Sequence, residues 1–382
     1  MKRGRNRSGL EQVVRVATAG LGRVGLAAAE AGGVRYRITQ PGEPARSPGF
    51  SETGKAQHMT IIPGVPAPGM APRLGLTLDE CRGVEYHELH AKDLVNKFNA
   101  RPMPFGWTVN PYRGCEMACR YCFARYTHEF LGLNDPDAFE RKIYVKETKR
   151  DRLIAEFRRA RKSGQLVALG TATDPYQPAE AKFEVTRRVL EAAREVPGLL
   201  LSITTKSTLV ARDAGLLREI GASSEVTVNL SITTVDPALA RRLEPRAPRP
   251  DLRFVAMNAL ADAGVATRLF IMPILPGLTD HEENLKALLV AARDAGAVGA
   301  ESNVLFLRPG TRETFLQFLA IDFPQLVPEY ERLYRGLAYA RPDYVRDVER
   351  RVRYLAAEVG LAARRREDRP DQRTPRQLSL VW

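Results

Sequence analysis

Three of the four cysteines of this chain fall within eight residues, in Asn110-Pro-Tyr-Arg-Gly-Cys115-Glu-Met-Ala-Cys119-Arg-Tyr-Cys122-Phe-Ala-Arg125. On a helix, positions 115, 119 and 122 would be i, i+4 and i+7, a stripe of small buried hydrophobes. The flanks oppose that arrangement. Pro111 and Gly114 break regular structure just upstream, Trp107-Thr-Val109 has strand character, and the charged Glu116 and Arg120 stand between the thiols. The first cysteine is therefore expected where a strand exits into a loop.

Clustered thiolates on a tight loop suit a multi-iron centre or zinc. Structural zinc takes four protein ligands, and the candidates for a fourth are Cys81, His128 and the pair His87 and His90. None of them forms a second C-x2-C pair. Three thiolates on a 4Fe-4S cluster would leave one iron open to substrate or cofactor, and an open iron implies catalysis. A simple electron carrier is disfavoured by the missing fourth thiolate.

The pattern Cys115-x3-Cys119-x-Tyr121-Cys122, with an aromatic residue just before the last cysteine, resembles the signature of the radical S-adenosylmethionine (SAM) enzymes. The longer string Asn110-Pro-Tyr-Arg-Gly-Cys115 resembles the branch related to spore photoproduct lyase, the DNA repair photolyase-like branch. The resemblance spans residues 105–310. It implies a 4Fe-4S cluster on Cys115, Cys119 and Cys122, bound SAM, and reductive cleavage of SAM to methionine and a 5′-deoxyadenosyl radical. A reducing partner such as flavodoxin or ferredoxin follows from the same resemblance.

The chain of 382 residues has a formal net charge of +13, which invites a nucleic-acid partner. Ten Lys/Arg against four Asp/Glu in residues 1–58, and six against three in residues 361–382, account for most of that excess. Solvated arms are the simpler explanation of such ends, and DNA or RNA stays a candidate partner. Residues 1–75 are rich in Gly, Pro and Arg and read as a flexible arm, with Met59 or Met70 as alternative starts. Residues 76–104 read as a lead-in strand or helix, 105–310 as the core domain, 311–360 as C-terminal helices and 361–382 as a basic tail. No apolar run is long enough for a membrane span. Few cysteines, mostly clustered, suggest metal binding in a reducing compartment, so the cytoplasm is expected.

Beyond the cysteine loop the hydrophobic period alternates between helix and strand. Helices are expected at 149–163, 183–196, 212–220, 252–263 and 282–295, and strands at 166–169, 199–203, 226–232, 267–272 and 298–307. With Trp107–Val109 these make six βα units. Such alternation implies a parallel sheet with helices outside, and six units leave an open, TIM-like barrel instead of a closed one. The fold class is α/β: a partial (βα)6 barrel of the radical SAM type with a C-terminal helical extension.

Chemistry in such barrels gathers at the C-terminal strand ends. The second strand exits into Gly170-Thr-Ala-Thr-Asp174, where a turn and helix cap explain Thr and Asp equally well. The resemblance implies a contact to the SAM amino group there; its usual Gly-Gly-Glu form is absent, and Thr171, Thr173 and Asp174 are the substitutes. The third strand ends at Lys206, which the resemblance pairs with the SAM carboxylate. Ser231 with Thr233 follows the fourth strand as a candidate for ribose hydroxyls. Glu244 and Arg246 lie in Arg241-Arg-Leu-Glu-Pro-Arg-Ala-Pro248, where two prolines argue for a loop and where an ion pair and a cofactor contact carry similar weight. Gly277 would allow close approach to adenine or simply make a tight turn. Tyr121 belongs to the signature itself.

The catalytic group that acts on substrate is unassigned. Spore photoproduct lyase carries a further cysteine at the second strand end as hydrogen-atom donor, whereas this chain has none beyond Cys122 and offers Thr171 there. Tyr121, Tyr126 and Tyr176 are relay candidates, though packing explains a tyrosine as well. A reading from a different class is a metal-stabilised nucleic-acid-binding protein without catalysis, using Arg113, Arg120 and Arg125 around the loop.

Overall fold

The computed structural model describes residues 74–361 apart from 82, 99–102, 134 and 136. The expected arm lies outside the described residues through position 73, and the expected tail from 362 onward. Strands β1 (Leu74–Cys81) and β2 (Val84–His90) form an antiparallel hairpin. Short strands β3 (Val95–Lys97) and β4 (Trp107–Val109) pair antiparallel. After β5 (Tyr112–Arg113) and the cysteine loop, helix α1 (Ala138–Arg141) runs into β6 (Lys142–Glu147).

From there helices and strands alternate: α2 (Arg150–Lys162), β7 (Val167–Leu169), α3 (Glu180–Phe183), α4 (Val185–Arg194), β8 (Leu200–Thr205), α5 (Ala214–Gly221) and β9 (Glu225–Ser231). Next come α6 (Pro237–Leu243), α7 (Pro250–Asp262), β10 (Ala266–Ile274), α8 (Glu282–Asp294) and β11 (Ala300–Val304). Helices α9 (Thr311–Asp322), α10 (Val327–Tyr334) and α11 (Pro342–Glu358) complete the described chain.

One sheet has the order β11-β10-β9-β8-β7-β4-β3, and every pair from β4 to β11 is parallel. These are the six strands of a partial barrel, with β3 added antiparallel at one edge. One face of the strands is apolar and sealed, with Val167, Leu169, Ile203, Val228, Leu230 and Leu269 all at most 1% exposed, whereas β8 and β9 alternate these with polar residues such as Ser202 and Asn229, which hydrogen-bond each other at 2.8 Å. Helix α2 shows how the outer layer is held, since Leu153, Ile154, Phe157 and Ala160 recur at helical spacing and are buried. Of these, Leu153, Ile154 and Phe157 each contribute about 1.5–3 kcal/mol on burial.

A second sheet, ordered β1-β2-β6-β5, was not anticipated. The lead-in is a strand hairpin, and Lys142-Ile-Tyr-Val-Lys-Glu147 pairs in parallel with β2. The helix expected over 183–196 is interrupted at Glu184, which sits at φ 50° between α3 and α4. The loop expected over 241–248 is corrected at its start. Asp236 caps α6 by accepting from the Ala238 N–H at 2.8 Å, Pro237 occupies its first turn, and Arg241 and Arg242 lie on the helix. Pro245 and Pro248 therefore end a helix instead of forbidding one.

Candidate metal and cofactor centre

The cysteine loop leaves β4 at Val109 and is fastened from every side. Cys115 N–H donates to Phe139 O at 2.9 Å, and Gly114 O accepts from Thr173 Oγ1 at 2.6 Å and from Gln177 Nε2 at 3.1 Å. Gln177 Oε1 in turn accepts from Glu116 N–H at 2.9 Å. Glu116, charged and expected to resist burial, is buried with Oε1 on Ala179 N–H and Oε2 on Tyr86 Oη. Arg120 N–H donates to Leu243 O at 2.9 Å and Arg246 N–H to Met117 O at 3.3 Å, so the segment after α6 is stitched over the loop. Thr311 at the start of α9 donates to Cys122 O at 3.0 Å, and Arg125 holds Cys119 O while pairing with buried Glu140 at 2.8 Å.

Gly114 is needed for this path. Its φ is +86°, and a Cβ there would lie 2.9 Å from the backbone oxygens of both Lys142 and Phe139. The same holds at the second strand end, where a Cβ on Gly170, at φ +89°, would meet Thr204 O at 2.5 Å.

Cys115 and Cys119 are each 8% exposed, and Cys122 is half-buried. Burial pushes all three thiols above their ordinary range. For Cys115, Asp174 and the other two thiols add to that rise, whereas Arg125 and Lys206 oppose it at Cys122. Buried thiols on one turn are costly to ionise alone and become good ligands when a metal centre takes up the thiolate charge. The donor set thus fits a metal group. Among the described residues, Glu88, His90 and Glu147 bring three ligand atoms within 4.8 Å of one another on the exposed side of the second sheet. His128 is turned to Lys142 O at 2.9 Å, His87 to Glu85 at 2.9 Å and His90 to Glu147 at 3.0 Å. The Cys81 side chain lies outside the described residues.

Around the cysteines the strand ends supply polar groups. Lys206, just past β8, puts Nζ 3.7 Å from Glu244 Oε1 and 5.7 Å from the Tyr121 ring centre. Tyr121 Oη donates to Glu244 Oε1, and Glu244 Oε2 pairs with Arg253 of α7. Burial alone would raise the Glu244 carboxyl, but Arg253 and Lys206 hold it below the usual carboxylate value. Arg253 is fixed by Pro248 O and Ser231 O, each at 2.8 Å. Asp174 braces two strand ends: Oδ1 accepts from Thr205 Oγ1 at 2.6 Å and Tyr176 N–H at 2.9 Å, and Oδ2 from Lys206 N–H at 2.7 Å. Thr171 shares hydrogen bonds with Asn110. Thr233 Oγ1 is buried without a protein partner among the described residues.

Residues 109–289 match the radical SAM superfamily. The chain belongs to the radical SAM superfamily. An uncharacterised protein of Mycobacterium tuberculosis strain H37Rv is 38% identical over 326 residues, 83% of this radical SAM chain and 95% of that protein. Among solved structures, a spore photoproduct lyase variant aligns with a TM-score of 0.56 at 16% identity, covering 72% of this chain and 80% of that one. Spore photoproduct lyase complexed with dinucleoside spore photoproduct aligns at 0.54 with 15% identity over 73% and 80%. These likenesses concern the fold, and they agree with the partial barrel.

The radical SAM core thus gathers Tyr121, Lys206, Glu244 and Cys119 at the strand ends, with Asp174 next to Cys115. Arg246 contacts the loop backbone and Glu140 O at 3.4 Å. Gly277 adopts φ +70°, and a Cβ there would lie 3.0 Å from Leu326 Cδ2. Arg253 and Gln177 escaped the sequence reading. Arg253 left a signal, because it shares a helical face with Ala256, Met257 and Leu260, all buried. Gln177 left none.

Proposed function

We propose that this chain is a radical SAM enzyme in which Cys115, Cys119 and Cys122 hold a 4Fe-4S cluster and the strand ends around Lys206 hold SAM. The observation that carries this reading is the set of three covered thiols on a loop whose backbone is pinned by eight hydrogen bonds, beside a lysine with spare donors. With the cluster bound and reduced, one electron passed to SAM yields methionine and a 5′-deoxyadenosyl radical.

Lys206 Nζ stands at ion-pair distance from Glu244, too far for a hydrogen bond, and so keeps donors for the SAM carboxylate. Asp174 spends three acceptor positions on the protein and retains one for the SAM amino group, next to Thr171 and Thr173. Ser231 and the unpartnered Thr233 hydroxyl suit the ribose. Tyr121, anchored by Glu244, offers its ring to the adenine side, while Glu244 and Arg246 fix the loop that closes over the cysteines and excludes water.

For the substrate we favour a nucleic-acid lesion handled by a lyase-type radical step. Support comes from the fold likeness to spore photoproduct lyase. The route differs in its hydrogen-atom donor, since no cysteine follows Cys122. A flavodoxin- or ferredoxin-type protein would supply the electron, in the cytoplasm; no helix among the described residues is long and apolar enough to cross a membrane.

Anaerobic purification and reconstitution test the reading. Brown protein with about four irons per chain, forming 5′-deoxyadenosine from SAM on reduction, is the expected result. Colourless protein holding one zinc and leaving SAM intact would overturn it.

A further inference from the structure

Below the strand ends, the inner face of the partial barrel is built unlike a packed core. Leu201, Ile203, Val228, Leu230, Leu269 and Ile271 are sealed on the other face, each at most 1% exposed. The residues that alternate with them line the inside. Thr108, Ala168, Ser202, Thr227 and Ala266 stand in register across five neighbouring strands. One pleat higher come Thr204, Asn229 and Arg268, and above those Ser231, Phe270 and Glu301. A closed barrel fills such layers with valine, isoleucine and leucine. Small and polar side chains take their place in this chain, and Ser202, Thr204, Thr227 and Phe270 are half-buried instead of sealed, so the inner face stays open.

The two upper layers carry unused hydrogen-bonding groups. Asn229 gives Nδ2 to Ser202 Oγ at 2.8 Å and to Thr204 Oγ1 at 3.4 Å, and its Oδ1 accepts from no described residue. Arg268 gives Nη1 to Glu301 Oε1 at 2.9 Å, which leaves its other donors without a described partner. Phe270 meets no aromatic ring among the described residues.

These groups narrow the chemistry of what they would hold. Glu301 neutralises Arg268, so the wall does not select an anion. Free donors beside a free acceptor ask for a group that carries both, and the half-buried ring asks for a flat face. A sugar offers hydroxyls without a flat face, and a peptide amide offers an edge without a ring. A nucleobase offers edge and face together. We propose that Asn229, Arg268 and Phe270 receive one base of a nucleic-acid substrate, its edge on Asn229 and Arg268 and its face on Phe270. This deepens the nucleic-acid reading given above and rests on it. The Asn229 layer lies two residues below Lys206 along β8, about 7 Å, which puts the base beside the strand ends assigned to SAM.

The test uses the full chain, reconstituted anaerobically and given SAM without reductant, so that nothing turns over. Fluorescence anisotropy reads binding of a single-stranded oligodeoxynucleotide, intact or irradiated with ultraviolet light, and of an abasic oligomer of equal length. At least one base-bearing form is expected to saturate, about tenfold or more tighter than the abasic oligomer. Phe270→Leu and Arg268→Met should each weaken that binding about tenfold. Thr267→Val, on the sealed face of the same strand, should keep it within about threefold. The proposal is overturned if no base-bearing form saturates, if the abasic oligomer binds equally well, if both lumen variants bind like the wild type, or if Thr267→Val loses as much as they do. Iron content and 5′-deoxyadenosine formation on reduction are measured on the same preparations. SAM cleavage without base-dependent binding sinks this inference alone, whereas base-dependent binding without iron sinks the enzyme reading alone.

Discussion

Arg253 and Glu244 meet in an ion pair sealed on both sides, each side chain 1% exposed, and through Glu244 the pair reaches Tyr121 and Lys206. Removing one member of such a pair leaves a buried charge uncompensated and costs about 3–5 kcal/mol. Arg253→Met and Glu244→Gln should each lower stability by that order. The double variant should lose clearly less than the sum, because neither charge is then stranded. Denaturant unfolding of the four proteins measures this, and additive losses would show that the two side chains act independently.

Replacing Cys115, Cys119 or Cys122 singly with Ala should abolish the brown colour and reduce iron from about four per chain to near zero. Cys81→Ala should keep the full complement. Iron and sulfide analysis after anaerobic reconstitution decides it, and a Cys81 variant without iron would reassign the ligand set.

Lys206→Ala should retain the cluster but bind SAM more weakly by about 1.5–3 kcal/mol, the value of a hydrogen bond to a charged group. Equilibrium binding of SAM to the reconstituted protein provides the number. Unchanged affinity would remove Lys206 from the carboxylate contact.

Gly114→Ala should destabilise the fold and impair cluster assembly, since its Cβ would press on two backbone oxygens at 2.9 Å. Gly132, also at positive φ (+73°), has nothing within 4 Å of a Cβ, so Gly132→Ala should cost only about 1 kcal/mol and leave iron content intact. Equal losses in the two variants would mean that φ alone, and not the close backbone approach, makes glycine necessary.

Burial, and after it Arg113, lowers the Lys146 ammonium to about 7 from an ordinary 10.5. Between those values the unfolded chain binds more protons than the folded one, so this group's contribution to stability grows as pH rises through the window and has been lost once pH falls to about 7. Lys146→Met removes the titration. Wild-type Tm minus variant Tm should climb across the window and level off below it. A difference independent of pH would show that Lys146 titrates normally.

Much of the barrel was legible because its signals are local. Leu166–Leu169 is a short apolar run and Val226–Ile232 a strict apolar/polar alternation, both strand signals standing between helical periods. The second sheet was not legible, because β5 has two residues and β6 carries lysines at both ends of its alternation, which reads as surface. The strand ends themselves could be located from the pattern, whereas the partners of their polar residues could not. Asp174 read equally well as a cap or a cofactor contact, and only the fold brings Thr205 and the Lys206 N–H onto its carboxylate from 31 and 32 residues away.

The sequence by itself determined the βα alternation and the three-thiol loop at the first strand exit, since hydrophobic period and cysteine spacing are properties of neighbouring residues. Tertiary structure alone decided that Arg253 would reach Glu244, that Gln177 would clamp Gly114 and Glu116, and that Arg113 and Lys146 would share one face. Those relationships join elements distant along the chain. Charge compensation under cover depends on which side chains the sheets bring together, and no local pattern encodes that.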